Sequence, residues 1–356
     1  MNDIDQALMR DATRLTQRGQ LSEATATLQR ALGGATQRPL APRPVPAGAP
    51  LPWVERVPAE RFSAGTHTEA GLTRRYKLFV PPDTGRGAAH ALVVMLHGCT
   101  QDPDDFATGT GMNRLAAEQG FAVLYPAQAP EANPSRCWNW FKHNHQARGH
   151  GEAAVIAGMT QAVVRAQGID PGRVYIAGLS AGGAMAGLVA AAYPELFAAV
   201  GVHSGLAPGA ARSLPEGLAA MRHGGGGAQA HTALPVPTIV FHGDHDEVVH
   251  ARNGEQLIAA ARRGAVHLAL QDTPSIEQAA SAQGRRYTRS LHASASGAVV
   301  AEHWLLHGAG HAWSGGDAAG SYTDPRGPDA SAEMLRFFFS QPRPASAAGS
   351  PGAAAR

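Results

Sequence analysis

Apolar and polar positions change their period repeatedly along the chain. Thr73 to Val80 alternates and runs into Pro81-Pro82, the pattern of a half-buried strand with a stop. Ala91 to Leu96 is continuously apolar and closes at His97-Gly98, which predicts a strand covered on both faces. Asp104 to Gln119 has helical spacing, and Phe121 to Tyr125 is another buried strand. After a polar insertion from Pro126 to His150, Glu152 to Gln167 predicts a helix and Val174 to Ala177 a strand. Ala184 to Ala192 is a helix of small residues. Phe197 to Val202, Thr238 to Phe241 and Glu302 to Leu306 predict further strands, separated by helix-capable stretches. Such alternation predicts an α/β fold: a mostly parallel sheet with helices on both faces.

The flanks differ from this core. Residues 3 to 32 read as two short helices around Arg18-Gly19-Gln20, with Ile4, Ala7, Leu8 and Leu15 on one and Leu21, Ala24, Leu28 and Leu32 on the other. One such hairpin cannot bury its own core, so it is expected to pack on the main domain or meet a partner or an apolar surface. Residues 33–52, rich in proline, predict a stiffened linker. The expected organisation is a helical segment at 1–32, the linker at 33–52, a catalytic domain at 53–341 and a disordered tail at 342–356.

Composition narrows the function. With 44% hydrophobic and 16% charged residues the chain is globular, and a net charge of +2 with scattered basic residues argues against a nucleic-acid-binding surface. Ala181 to Val202 is weakly polar but interrupted by Tyr193-Pro194-Glu195, so it reads as buried helix and strand, not a membrane span. The N-terminus lacks the basic flank and apolar run of an export signal, and a cytoplasmic protein is expected. Two cysteines, Cys99 and Cys137, are too few for a cysteine zinc site.

Gly178-Leu179-Ser180-Ala181-Gly182 means little by itself in a chain with 42 glycines. Its setting changes that: a strand enters the pentapeptide and a helix leaves it, the arrangement of a nucleophile elbow, where flanking glycines make room for a strained turn. A serine hydroxyl needs a general base, and the base needs a carboxylate. The strand at 238–241 is followed by His242-Gly243-Asp244-His245-Asp246, and that at 302–306 by His307-Gly308-Ala309-Gly310-His311. Asp246 stands ahead of Asp244 as the acid because it clears the strand end. His311 stands ahead of His307 as the base because a Gly-Ala-Gly loop lets it reach back. Backbone N–H groups of Cys99 and Ala181 are the candidate oxyanion donors. This chemistry calls for no metal or organic cofactor. The His242 to Asp246 cluster lacks metal-ligand spacing, and His143-Asn144-His145 reads as a solvated loop.

Taken in order, "GLTRRYKLFVPP", "LHGCTQ", "RCWNWF", "HQARGHGE", "IDPGRVYIAGLSAGG", "HGDHDEVV" and "GAGHAWSGG" make the segment from Arg61 to Phe339 resemble the poly(3-hydroxybutyrate) depolymerase family of serine esterases. That family shares its catalytic domain with feruloyl and acetyl xylan esterases. The resemblance implies an α/β-hydrolase fold, the triad Ser180, Asp246 and His311, an oxyanion loop at Cys99, and a hydrophobic polyester or its oligomers as substrate. Without an export signal or an added substrate-binding domain, the chain looks like an intracellular member working at storage granules. Rival readings are a feruloyl or acetyl xylan esterase and an inactive granule-surface scaffold. The resemblance also implies that Cys99 and Cys137 lie close enough to bridge, which a reducing cytoplasm would disfavour. Trp138, Trp140 and Trp313 are expected to line an apolar substrate groove.

Overall fold

The strands at the middle of the molecule are those with the longest apolar runs. In the computed structural model, which describes residues 61–81, 90–225 and 232–341, they form one ten-stranded sheet. The helical hairpin at 3–32, the linker at 33–52 and the tail at 342–356 fall outside the described residues.

β1 (Phe62–Glu69) and β2 (Leu72–Phe79) make an antiparallel hairpin at one edge. β3 (Leu92–Leu96), β4 (Ala122–Pro126), β5 (Val174–Leu179), β6 (Ala199–His203), β7 (Thr238–Gly243) and β10 (Val299–Leu306) pair in parallel across the centre. β9 (Arg286–Ala293) pairs antiparallel with β10, and β8 (Ser275–Ala280), antiparallel to β9, closes the far edge. The order is β1-β2-β4-β3-β5-β6-β7-β10-β9-β8. This is the mostly parallel sheet that the alternating pattern predicts.

Alternation along each central strand sends neighbouring residues to opposite layers. Val94, Ile176, Val200 and Val240 pack against α3 (Gly151–Gln167), α4 (Ala181–Ala192) and α6 (Arg252–Gly264). Val93, Met95, Tyr175, Ala177 and Phe241 pack against α1 (Pro103–Thr110), α2 (Met112–Gln119) and α7 (Ala330–Phe339). Both faces are therefore covered, as continuous apolar runs require. α5 (Leu214–His223) lies beyond β6 and begins at a Ser213 cap.

Three local differences from the expected elements have physical causes. The single helix expected over 104–119 is two, because Gly111 takes a left-handed backbone (φ 61°) that ends α1 and starts α2. α1 is also anchored at its start by Asp102 Oδ1, which accepts the N–H groups of Asp104 and Asp105 at 3.1 and 3.0 Å, a cap worth about 1 kcal/mol. β8 and β9 lack an apolar run because β8 is the exposed edge strand and β9 beside it is only half-buried. Register then sets the site: Leu96 pairs with Gly178, Leu179 with His203 and Leu306 with Gly243. The loops that follow these strands consequently leave the sheet at one edge.

Candidate active site

Ser180 sits between β5 and α4 with φ 58° and ψ −121°, a conformation that a residue with a Cβ adopts only under strain. The turn is held by the Ser180 N–H, which donates to the His203 carbonyl at 2.9 Å. Its glycines are required by close approach: a Cβ at Gly182 would overlap the Leu96 carbonyl oxygen, and one at Gly178 the Gly182 backbone. The helix thus presses directly on β3.

Asp246, just beyond β7, is nearly buried. Its Oδ1 accepts the N–H groups of Val248 and Val249 at 3.0 and 2.8 Å, and its Oδ2 accepts His311 Nδ1–H at 2.8 Å. Burial pushes this carboxyl up, but the His311 hydrogen bond and charge, with His242 and the backbone donors, outweigh it and bring the pKa down to about 2. The carboxylate stays ionised and fixes which His311 nitrogen carries the proton. Asp244 and His307, the alternatives in the sequence, pair with each other: His307 Nδ1 lies 2.9 Å from Asp244 Oδ2, and Gly308 N donates to Asp244 Oδ1 at 2.6 Å. His307 Nε2 is taken up by Thr288 on β9 at 2.9 Å. No hydrogen bond joins Ser180 to His311 among the described residues; such contacts often tighten only when substrate binds.

The candidate oxyanion loop lies against the serine, since a Cβ at Gly98 would stand 3.6 Å from Ser180 Cβ. His97 Nδ1–H donates to the Gly98 carbonyl at 2.7 Å, which orients the peptide carrying the Cys99 N–H. That N–H has no partner among the described residues. Ala181 opens α4, where the first N–H groups lack intrahelical partners. Cys99 is bonded to Cys137 through a disulfide with Cα atoms 4.2 Å apart, so the bridge implied by the resemblance is present. Disulfides are rare in a reducing cytoplasm, so this bond and the cytoplasmic expectation pull against each other.

The three tryptophans do not line an open groove. Trp138 and Trp313 are 0% and 1% exposed, and Trp140 is buried beside Phe141. Trp313 packs edge-on to Phe106 and donates its indole N–H to Ser331 Oγ at 3.1 Å; Trp138 leans on His97. Large aromatic surfaces gain more from the core than from the rim.

Several residues that pattern reading passed over position the site. His203 holds the Ser180 N–H through its carbonyl, accepts the Ser314 N–H at Nε2 (3.0 Å), and stacks against Phe241 and Trp313. Burial, reinforced by His242 and His311, lowers its pKa to about 3, so it is neutral and able to accept there. Its signal was available: like the catalytic candidates, it ends an apolar strand. Glu152, fully buried, gathers Arg74, Gln128 and Asn139 side chains at 3.2, 2.6 and 2.8 Å and the Asn139 N–H at 2.7 Å. It ties the 126–150 insertion to β2 and α3. Nothing local in the sequence marks that convergence.

A family model described as Esterase PHB depolymerase matches residues 74–269. The chain belongs to that family. It is 29% identical over 248 residues to poly(3-hydroxyalkanoate) depolymerase C of Paucimonas lemoignei, covering 66% of this chain and 58% of that protein. It is 34% identical over 136 residues to a poly(3-hydroxybutyrate) depolymerase of Ralstonia pickettii, covering 36% and 28%. It is also 35% identical over 119 residues to a probable acetylxylan esterase A of Neosartorya fischeri, covering 33% and 32%. The chain thus spans 58% or less of the length of these relatives. Among solved structures, an acetyl xylan esterase from Aspergillus awamori superposes with a TM-score of 0.61 over 78% of this chain and 99% of its own, at 19% identity. That likeness establishes the α/β-hydrolase fold.

Proposed function

We propose that the protein is a serine-dependent carboxylic ester hydrolase that cleaves poly(3-hydroxybutyrate) or its oligomers. The observation that carries the reading is the buried Asp246–His311 pair, 2.8 Å apart, at the same sheet edge as Ser180 on its strained turn. Family membership and the depolymerase relatives support the polyester as substrate.

In this mechanism His311 takes the Ser180 proton while Asp246 stabilises the imidazolium. The Ser180 oxygen attacks the ester carbonyl, and the developing oxyanion is met by the N–H groups of Cys99 and Ala181. The alcohol leaves with the proton held by His311, giving an acyl-enzyme. Water, deprotonated by His311, attacks that ester and releases a 3-hydroxybutyrate monomer or oligomer.

The acetylxylan relatives, and feruloyl esterase B of Neurospora crassa at 34% identity over 130 residues, support a second reading: removal of acetyl or feruloyl groups from a polysaccharide. The deciding experiment measures 3-hydroxybutyrate release from amorphous poly(3-hydroxybutyrate), with p-nitrophenyl butyrate, methyl ferulate and acetylated xylan alongside, for wild type and Ser180→Ala. Release from the polyester by wild type alone supports the proposal. Cleavage of ferulate or acetylxylan without polyester transfers it to the second reading. No cleavage of any ester moves the scaffold reading forward. No helix among the described residues is long and apolar enough to cross a membrane, and granule association is tested by co-sedimentation of the full chain with polyester granules.

A further inference from the structure

The large apolar side chains left exposed among the described residues are Val248, Val266, Leu268, Ile276 and Tyr322. Val266, Leu268 and Ile276 lie on or near the β8 edge, far along the sheet order from β5. Val248 and Tyr322 instead border the candidate active site. Val248 is two residues past Asp246, which accepts its N–H. Tyr322, 47% exposed, is the one aromatic of the set.

Its position is set from three directions. The Tyr322 hydroxyl lies 3.1 Å from Thr100 Oγ1, next to Cys99 in the oxyanion loop. Thr100 already gives its hydroxyl proton to the Cys99 carbonyl at 2.6 Å, so the tyrosine is the donor in the pair. The Tyr322 carbonyl accepts the N–H of Trp313, two residues beyond His311, at 2.7 Å. The preceding Ser321 is anchored to Asp105 through its N–H at 2.8 Å and accepts Gln101 Nε2 through its carbonyl at 3.1 Å. Tyr322 therefore bridges the loop of the candidate base and the loop of the candidate oxyanion donor.

Both ends of this bridge are strained. Tyr322 has φ 53° and Thr100 φ 64°, left-handed values that aromatic and β-branched residues avoid. Glycine or asparagine would fit either position more easily. A folded chain that keeps an aromatic ring in a costly backbone state, and leaves nearly half of it in water, recovers little from burying the ring itself. The exposed part of its side chain therefore lies beside two loops of the candidate active site.

We propose that Tyr322 is a specificity-determining residue: its ring forms the wall against which an extended apolar chain of the ester substrate lies as its carbonyl reaches Ser180. The inference rests on Ser180 as nucleophile and Cys99 as oxyanion donor, but not on the polyester as substrate. It accounts for an apolar contact at a site whose tryptophans are buried.

The test compares kcat and KM for wild type, Tyr322→Ala, Tyr322→Gly and Tyr322→Phe on two ester series: p-nitrophenyl acetate, butyrate and octanoate, which lengthen the acyl side, and alkyl butyrates of increasing alcohol length. Tyr322→Ala and Tyr322→Gly are expected to lose about tenfold in kcat/KM on the longest member of one series, through KM. p-Nitrophenyl acetate should change by no more than about twofold, and Tyr322→Phe should keep the wild-type length dependence. The series that responds identifies which side of the ester meets the ring. A loss equal at every length and carried by kcat would overturn the proposal, making Tyr322 a support for the oxyanion loop only. Unchanged length dependence in both series would overturn it equally. Tyr322→Gly relieves the left-handed strain and is expected to melt no lower than Tyr322→Ala, so a folding defect is separable from lost contact. Polyester left intact while soluble esters are cleaved would fell the substrate reading and leave this test standing; an active Ser180→Ala would remove its foundation.

Discussion

The candidate triad Ser180, Asp246 and His311 forms one side of the candidate active site, each residue delivered by the end of a parallel strand a few residues away. On the other side, the Gly98–Thr100 loop depends on residues 34 to 38 positions distant: Arg136 reaches Asp102 and the Thr100 carbonyl, and Cys137 bonds Cys99. The first side inherits its geometry from sheet register. The second is tied down by cross-links, because its loop runs from His97 to Asp102 before α1 begins at Pro103, whereas α4 begins at the residue after Ser180. The expected consequence is a division of labour: replacing Ser180 costs rate at constant stability, and substitutions on the tethered side cost stability as well.

The largest effect should come from Ser180→Ala, about 10^4-fold or more in kcat on a soluble ester with an unchanged melting temperature. Residual activity close to wild type would break the triad side altogether. Next, Asp246→Asn should cost about 10^3- to 10^4-fold, because an amide cannot hold His311 in the required proton state. Asp244→Asn, which disturbs only the pair with His307, should stay within about tenfold. Equal losses would erase the distinction that the two separate pairs draw.

Trp313→Ala is expected to destabilise by about 3 to 5 kcal/mol in urea unfolding and to reduce polymer and short-ester hydrolysis alike, since the ring is core. A selective loss on polymer would return it to substrate contact. Reducing the Cys99–Cys137 bond, or Cys137→Ser, should cost about 3 to 4 kcal/mol by freeing a 38-residue separation, and should lower kcat on a soluble ester through the loosened loop. Two titratable thiols in unfolded, unreduced protein would show the bond absent and untie the comparison.

Acid supplies the finest distinction. Burial lowers the His97 pKa from 6.5 to about 4, so between those values the unfolded chain binds more protons than the folded one. This contribution is whole above pH 6.5 and about 3 kcal/mol is lost as pH falls through 4. Asp246, with its pKa depressed from 3.8 to about 2, contributes about 2 kcal/mol that is present above pH 4 and lost only as pH drops through 2. Unfolding free energies measured from pH 7 to 3 should therefore decline first through the buried histidines His97, His203 and His303, and only below that through Asp246. His97→Gln should flatten the upper part of that decline, and an unaltered slope would assign it elsewhere.

How much was legible differs between these sides for a physical reason. Strand-turn-helix around Ser180 and the acid and base loops are short-range patterns: an apolar run, a glycine, a polar residue at a fixed offset. The central strands were legible on the same terms, because burial on both faces leaves an uninterrupted apolar run. The strands β8 and β9 at the far side of the sheet were not, since half-exposed strands mix polar and apolar residues without an obligatory rhythm. His203 and Glu152 are single polar letters whose partners lie on other elements.

The sequence alone determined the alternation that makes a doubly covered parallel sheet and the order of Ser180, Asp246 and His311 at strand ends, because period and turn chemistry act over a few residues. Only the tertiary structure decided that Asp246 meets His311 while Asp244 meets His307, that the tryptophans turn inward, and that Tyr322 stands between the base loop and the oxyanion loop. These outcomes are settled by which distant surfaces fill the same space, and no local pattern of residues encodes that competition.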